Sequence, residues 1–207
     1  MELIPIQRFV NADNSCLFSS ISYLINKNDF NENTSMMFRL AAVDYIKSND
    51  KYTSDFLGMD KEEYMKKMED PTSWGGAIEI KIFSDILKTQ IASLDIQSGR
   101  VDIFGETENY TQRIYVLYNG IHYDPLVMSI PGNENNFESD ITIFEPDDFD
   151  KLVKFQNLAE ELKIQGKFVD LNNINSYRCC ECKEEFMEQK DVMIHGQNHN
   201  HWEFEEI

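Results

Sequence analysis

The stretch Asn11-Ala12-Asp13-Asn14-Ser15-Cys16-Leu17-Phe18 decides how the rest of this chain is read. Its texture changes at the centre. Small and polar residues lead into Cys16, and from there apolar side chains recur at helical spacing as Leu17, Phe18, Ile21, Leu24 and Ile25. The spacing predicts a helix that starts close to Cys16. A thiol placed there faces the positive end of the helix dipole and the unpartnered N–H groups of the first turn. Both favour the thiolate, the reactive form of cysteine. The amides of the preceding polar loop are free to face a developing oxyanion. From position alone, a buried structural cysteine is the competing reading.

Working outward, further helices are predicted from about Ser35 (Met37, Leu40, Ala41, Ile46), from Asp60 through Tyr64 and Met68 to a stop at Pro71, and from about Gly76 through Ile80, Phe83 and Leu87. Residues 90–96, 101–104, 113–118 and 121–125 are short β-branched and aromatic runs, several of them separated by Gly, Asn and Asp, and read as strands. Helices first and strands second give an α+β fold rather than an alternating, doubly wound one. Residues 1–147 are read as one domain. Within it, 131–140 is a polar, Asn-rich loop. Residues 148–175 are read as a connecting helix (Phe149, Leu152, Val153, Leu158, Leu162) and a linker with a hinge at 172–176. Residues 176–207 form a terminal module.

His122 lies in Asn119-Gly120-Ile121-His122-Tyr123-Asp124, at the start of a predicted strand. Residues two apart on a strand share a face. Asp124 can therefore accept the proton of one ring nitrogen and leave the other free to deprotonate Cys16, the nucleophile–base–orienter logic of a catalytic triad. A solvated His–Asp pair on a surface strand competes on spacing alone.

Three blocks taken together carry a resemblance. Asp13-Asn14-Ser15-Cys16-Leu17-Phe18, Trp74-Gly75-Gly76-Ala77-Ile78-Glu79-Ile80 and Gly120-Ile121-His122-Tyr123-Asp124-Pro125-Leu126 resemble, in order and separation, the signature blocks of ovarian-tumour (OTU) deubiquitinases. The resemblance spans residues 6–147. It implies a papain-like cysteine protease fold with helices packed on a small mixed sheet. It implies cofactor-free hydrolysis of isopeptide and thioester bonds at the ubiquitin C-terminus, on polyubiquitin chains. Carried over, Cys16 is the nucleophile, His122 the base and Asp124 its orienter, and Asp13 belongs to the loop that shapes the oxyanion hole. Trp74-Gly75-Gly76 would wall a narrow channel for a Gly-Gly tail, beside a mobile substrate loop at 66–72. The alternative is a catalytically weak ubiquitin-binding adaptor.

The remaining cysteines cluster near the C-terminus. Cys179-x-x-Cys182, twelve residues and His195, followed by His199 or His201, match the spacing of a two-Cys, two-His zinc finger. Phe186 and Met193 would form its small core. Spacing leaves His199 and His201 both open. A subgroup of OTU enzymes with such a terminal finger resembles this tail, and its longer gap favours His201, giving Cys179, Cys182, His195 and His201 as ligands, with Cys180 a bystander. The finger carries more acidic than basic side chains, which makes it a poor reader of phosphate.

Composition bounds the rest. The chain has 207 residues, 42% of them hydrophobic, which suffices for a packed core, and a net charge of −18, which argues against a nucleic-acid partner. Neither a secretory signal nor an apolar run long enough to span a bilayer is visible. The expectation is a soluble monomer in the cytoplasm, with the nucleus as the alternative, acting on ubiquitin and polyubiquitinated proteins. The resembled subgroup usually carries an N-terminal ubiquitin-like domain that docks on a AAA ATPase of the valosin-containing type. Here the OTU blocks begin almost at Met1, so the expectation is either a truncated chain or a form without that domain, and the ATPase is carried as a partner of the subgroup.

Overall fold

A short strand, β1 (Ile4–Gln7), precedes a run of helices: α1 (Cys16–Asn26), α2 (Glu32–Ser48), α3 (Ser54–Leu57), α4 (Lys61–Glu69) and α5 (Ala77–Leu87). Strands follow as β2 (Gln90–Asp95), β3 (Val101–Phe104), β4 (Arg113–Tyr118) and β5 (Tyr123–Ser129), then α6 (Phe149–Ile164). The C-terminal part adds β6 (Tyr177–Cys179), β7 (Glu185–Phe186), α7 (Gln189–His199) and β8 (Phe204–Glu206). This computed structural model describes residues 2–26, 32–170, 177–186 and 189–206; the expected hinge at 172–176 lies outside them.

The order of elements is the predicted α+β one. The main sheet runs β1-β5-β4-β2-β3, with β2 and β4 parallel and the other pairs antiparallel. Its central strands alternate between two buried faces. Ile91, Ile114, Val116 and Val127 pack into one core with Leu17, Phe18 and Ile21 of α1 and Ile80 and Phe83 of α5. Tyr115, Leu117, Leu126 and Met128 point the other way, onto Phe155 and Ala159 of α6. A sheet buried on both faces needs a layer on each. The helix expected as a connector is thus also the second layer, with the Phe155 ring 4.7 Å from that of Tyr115.

Three local differences from the sequence reading have physical causes. β1 was not foreseen because a four-residue run containing Pro5 carries little pattern; Pro5 is tolerated because β1 is an edge strand. The expected mobile loop at 66–72 is largely helix: α4 runs to Glu69, with Met68 buried on its inner face. The last predicted strand shifts to Tyr123–Ser129, because the Asn119 side chain accepts the N–H groups of Ile121 (3.1 Å) and His122 (2.8 Å) and closes a turn there. Among the described residues, no helix is long and apolar enough to cross a membrane.

Candidate active site and metal centre

Cys16 is the first residue of α1, as its neighbours predict. The turn before it is tightly held. The Asp13 carboxylate accepts the Ser15 N–H (3.0 Å), and Asn14 adopts a left-handed backbone, φ 62°. The Trp74 indole donates to the Asn14 side chain (2.7 Å). Gly75 is needed beside it, because a Cβ there would lie 2.9 Å from Leu17 and 3.0 Å from the Phe18 ring. The Trp74-Gly75-Gly76 block thus seats directly on α1, the helix that Cys16 begins. Along with Asn14, Ile121, Tyr123 and Met193 it lines a small cavity of about 100 Å³ at Cys16.

The sequence brings Cys16 and His122 to one place through the sheet. Cys16 Sγ accepts the backbone N–H of Tyr123 (3.5 Å), the residue that follows His122. His122 Nδ1 faces Asp124 Oδ2 at 3.3 Å, and both side chains are almost fully buried. Asp124 is fixed by two further donors, Gln7 Nε2 (2.8 Å) and the Val10 N–H (3.1 Å). His122 Nε2 is buried and has no hydrogen-bond partner among the described residues. In the tautomer that keeps its proton on Nδ1, on the side of Asp124, Nε2 carries the lone pair. The turn presenting His122 depends on Gly120, whose φ is 105° and whose Cβ would fall 2.1 Å from the Val169 carbonyl oxygen.

One expectation is corrected. The helix start was read as favouring a thiolate. Burial instead pushes the Cys16 thiol up to about 12; the N–H groups of Tyr123 and Leu17 oppose this, and the charges of Asp124 and Asp13 add to it. Desolvation wins over the helix terminus because Sγ is enclosed rather than open to water. Asp13 therefore shapes the turn and does not assist ionisation.

The four ligand atoms of Cys179, Cys182, His195 and His201 all lie within 4.8 Å of one another. Cys179 Sγ is 3.6 Å from His201 Nδ1, Cys182 Sγ 3.3 Å from His195 Nε2, and the two ring nitrogens are 3.2 Å apart. A tetrahedral zinc with two sulfur and two nitrogen ligands spaces its donors by about 3.4–3.8 Å, so the set fits. Of the outer nitrogens, His195 Nδ1 faces Glu184 at 3.0 Å, the kind of second contact that ligating imidazoles usually make, while His201 Nε2 lies 3.6 Å from Glu181, beyond hydrogen-bond reach. Asn200, at φ 56°, ends α7 and turns the chain so that His201, not His199, joins the cluster. Cys180 stays outside it.

This module abuts the site. Ile121 belongs to its core with Val192, Met193 and Phe186, and the Trp202 ring lies 5.9 Å from that of His122.

Comparison with known proteins agrees with this geometry. The sequence profile of the OTU-like cysteine proteases matches residues 11–129. The chain is 35% identical to "OVARIAN TUMOR DOMAIN-containing deubiquitinating enzyme 2" of Arabidopsis thaliana, over all of this chain and 99% of that one. It is 32% identical to ubiquitin thioesterase OTU1 of Xenopus laevis over 98% of this chain and 66% of that protein. The solved structure of an OTU domain in complex with ubiquitin superposes with a TM-score of 0.70 at 33% identity, covering 81% of this chain and 92% of that one.

Proposed function

This chain belongs to the family of OTU-like cysteine proteases, and we propose that it is a deubiquitinase that uses Cys16 as nucleophile and His122 as base. The observation that carries the reading is the pairing of a thiol held at the Tyr123 backbone with a histidine whose Nδ1 faces Asp124 and whose Nε2 is unpartnered. The relatives' names and the ubiquitin in the related complex support the substrate class.

The resting thiol sets the order of events. Cys16 does not wait as an anion; its proton passes to His122 Nε2 as Sγ attacks the ubiquitin C-terminal carbonyl. The Ser15 N–H is taken by Asp13, so the Asn14 and Cys16 amides of this turn receive the oxyanion, where one lost donor typically costs about 3–4 kcal/mol. His122 then protonates the departing lysine amine, leaving a thioester on Cys16. Water, deprotonated by His122, hydrolyses it. Asp124 holds the ring in the required tautomer throughout. Zinc, held by Cys179, Cys182, His195 and His201, would be structural, stabilising the terminal module. The reading extends to a monomer working on polyubiquitin in the cytoplasm, with the AAA ATPase as a further partner.

The test is a ubiquitin probe carrying a C-terminal electrophile. Labelling of the wild type that is lost in Cys16→Ala is the expected result. A folded wild type that is not labelled, yet still binds ubiquitin, would leave the adaptor reading in its place.

A further inference from the structure

Among the described residues, Arg39 is the largest fully buried side chain, and nothing in the mechanism above uses it. It projects from α2 into the space between the nucleophile's turn and the α4–α5 connection. Nη2 donates to the Asn14 carbonyl (3.1 Å) and the Ser15 hydroxyl (3.1 Å), and lies 3.5 Å from the Pro71 carbonyl. Nη1 donates to the Met68 carbonyl (3.2 Å). The guanidinium carbon sits 4.4 Å over the ring of Phe18, on the nucleophile's own helix.

A cation in this position is expensive. Burial lowers its pKa, and among the described residues no carboxylate stands within ion-pair distance of it; attraction comes from farther off, from Glu79 first and then Asp70 and Asp13. A long apolar side chain would fill the same space without that cost. What an apolar side chain cannot do is hold a left-handed Asn14 by its carbonyl while gripping the neighbouring hydroxyl and two backbone oxygens across the gap. A planar fork of donors does this, and a lysine point charge does it poorly. The Arg39 charge also attracts a negative charge on Cys16.

We infer that Arg39 is a positioning residue for the hydrolysis: by clamping Asn14 and Ser15 to Met68 and Pro71, it fixes the turn whose amides receive the oxyanion. The inference rests on the deubiquitinase reading. It differs from a purely structural role in what it predicts. A structural plug, once replaced, changes stability and affects substrate binding and turnover alike. A clamp on the oxyanion turn affects the transition state and spares ground-state binding.

The experiment compares wild type, Arg39→Met and Arg39→Lys on ubiquitin bearing a C-terminal fluorogenic amide. It also measures the affinity of each for ubiquitin aldehyde, whose adduct on Cys16 places an oxygen where the oxyanion forms. Ground-state affinity for ubiquitin is measured with each substitution in a Cys16→Ala background. The expected result for Arg39→Met is kcat lower by about tenfold to hundredfold, near or below the loss of a full oxyanion donor. KM and ground-state affinity should stay within about twofold, and aldehyde affinity should fall in step with kcat. Arg39→Lys should fall by less but not recover wild-type kcat. If Arg39→Met does not fold, Arg39→Lys carries the test. A folded variant with wild-type kcat, or one whose ground-state affinity falls as far as its kcat, overturns the inference. A wild type that neither turns over nor takes the aldehyde sinks the deubiquitinase reading itself, and this inference with it.

Discussion

The most discriminating prediction concerns the resting state of Cys16. Burial holds its thiol at about 12 against an ordinary value of 9.0. At pH 8 an ordinary thiol is ionised to about one part in ten, and one at 12 to about one part in ten thousand, so the folded protein withholds the thiolate by about a thousandfold. Iodoacetamide alkylation of Cys16, followed by mass spectrometry so that the other cysteines do not confuse the readout, should be slower than that of an unfolded-chain cysteine by about that factor. It should rise tenfold per pH unit through pH 9 and 10 without a plateau. The ubiquitin-directed electrophile should nevertheless react readily at pH 8, because His122 takes the proton as the bond forms. The same shift has a stability consequence. Above pH 9 the unfolded chain releases the Cys16 proton while the folded one keeps it. The folded state then binds more protons, and its stability falls as pH rises from 9 towards 12. An alkylation profile with a midpoint below pH 8 would refute the reasoning and restore a preformed thiolate–imidazolium pair.

Three other outcomes are expected. Asp124→Asn presents an amide N–H or a weakened acceptor to His122 Nδ1 and Gln7, disturbing the tautomer; kcat should drop by about 10²–10⁴ with KM little changed, and activity within threefold of wild type would remove Asp124 from the triad. Gly120→Ala would drive a methyl into the Val169 carbonyl at a positive φ; a loss of about 2–4 kcal/mol in urea unfolding is expected, and an unchanged midpoint would show that the turn relaxes freely. Cys182→Ser should lower the zinc bound per chain, read by elemental analysis, and should speed alkylation of Cys16; full zinc content in the variant would dismiss the four-ligand cluster.

Much of this was legible because its causes are local. The polar-to-apolar switch at Cys16 marks the start of α1, and Asp60 is an N-cap whose carboxylate accepts the N–H groups of Glu62 and Glu63, so α4 begins where the sequence says it should. What escaped depends on residues far along the chain. Helical spacing in 147–164 reveals an amphipathic helix but not that Tyr115 lies beneath it. The thiol's ionisation was misjudged because the helix terminus is a local feature, whereas the enclosure comes from residues far along the chain, among them Trp74, Tyr118, Tyr123 and Met193. Arg39 had no signal at all. One arginine in a mixed run of apolar and charged residues looks like a solvent-facing position, and only the packing of α2 against α1 and α4 reveals that its partners are backbone oxygens. The choice of His201 came from the subgroup's pattern, and its physical basis, the left-handed Asn200, cannot be read from spacing.

The coupling between the metal cluster and Cys16 in the Cys182→Ser prediction follows from where the terminal module's core lies. Ile121 is next to His122 in sequence, yet it packs with Val192, Met193 and Phe186 rather than with the main sheet. Met193 walls the cavity at Sγ, and the Trp202 ring lies 5.9 Å from the His122 ring. The low-polarity surroundings that raise the thiol are therefore supplied in part by a module too small to hold a core of its own without a staple. If the cluster holds zinc as proposed, its loss should loosen that module, let water reach Sγ and His122, and move the thiol back towards its ordinary value. The same event frees the turn that Asn119 and Gly120 hold in place against Val169. Small reagents should then find Cys16 more easily, while hydrolysis, which needs His122 held at a fixed distance from the attacking sulfur, should slow. Opposite changes in alkylation and turnover distinguish this coupling from simple uncovering of the site, which would speed both.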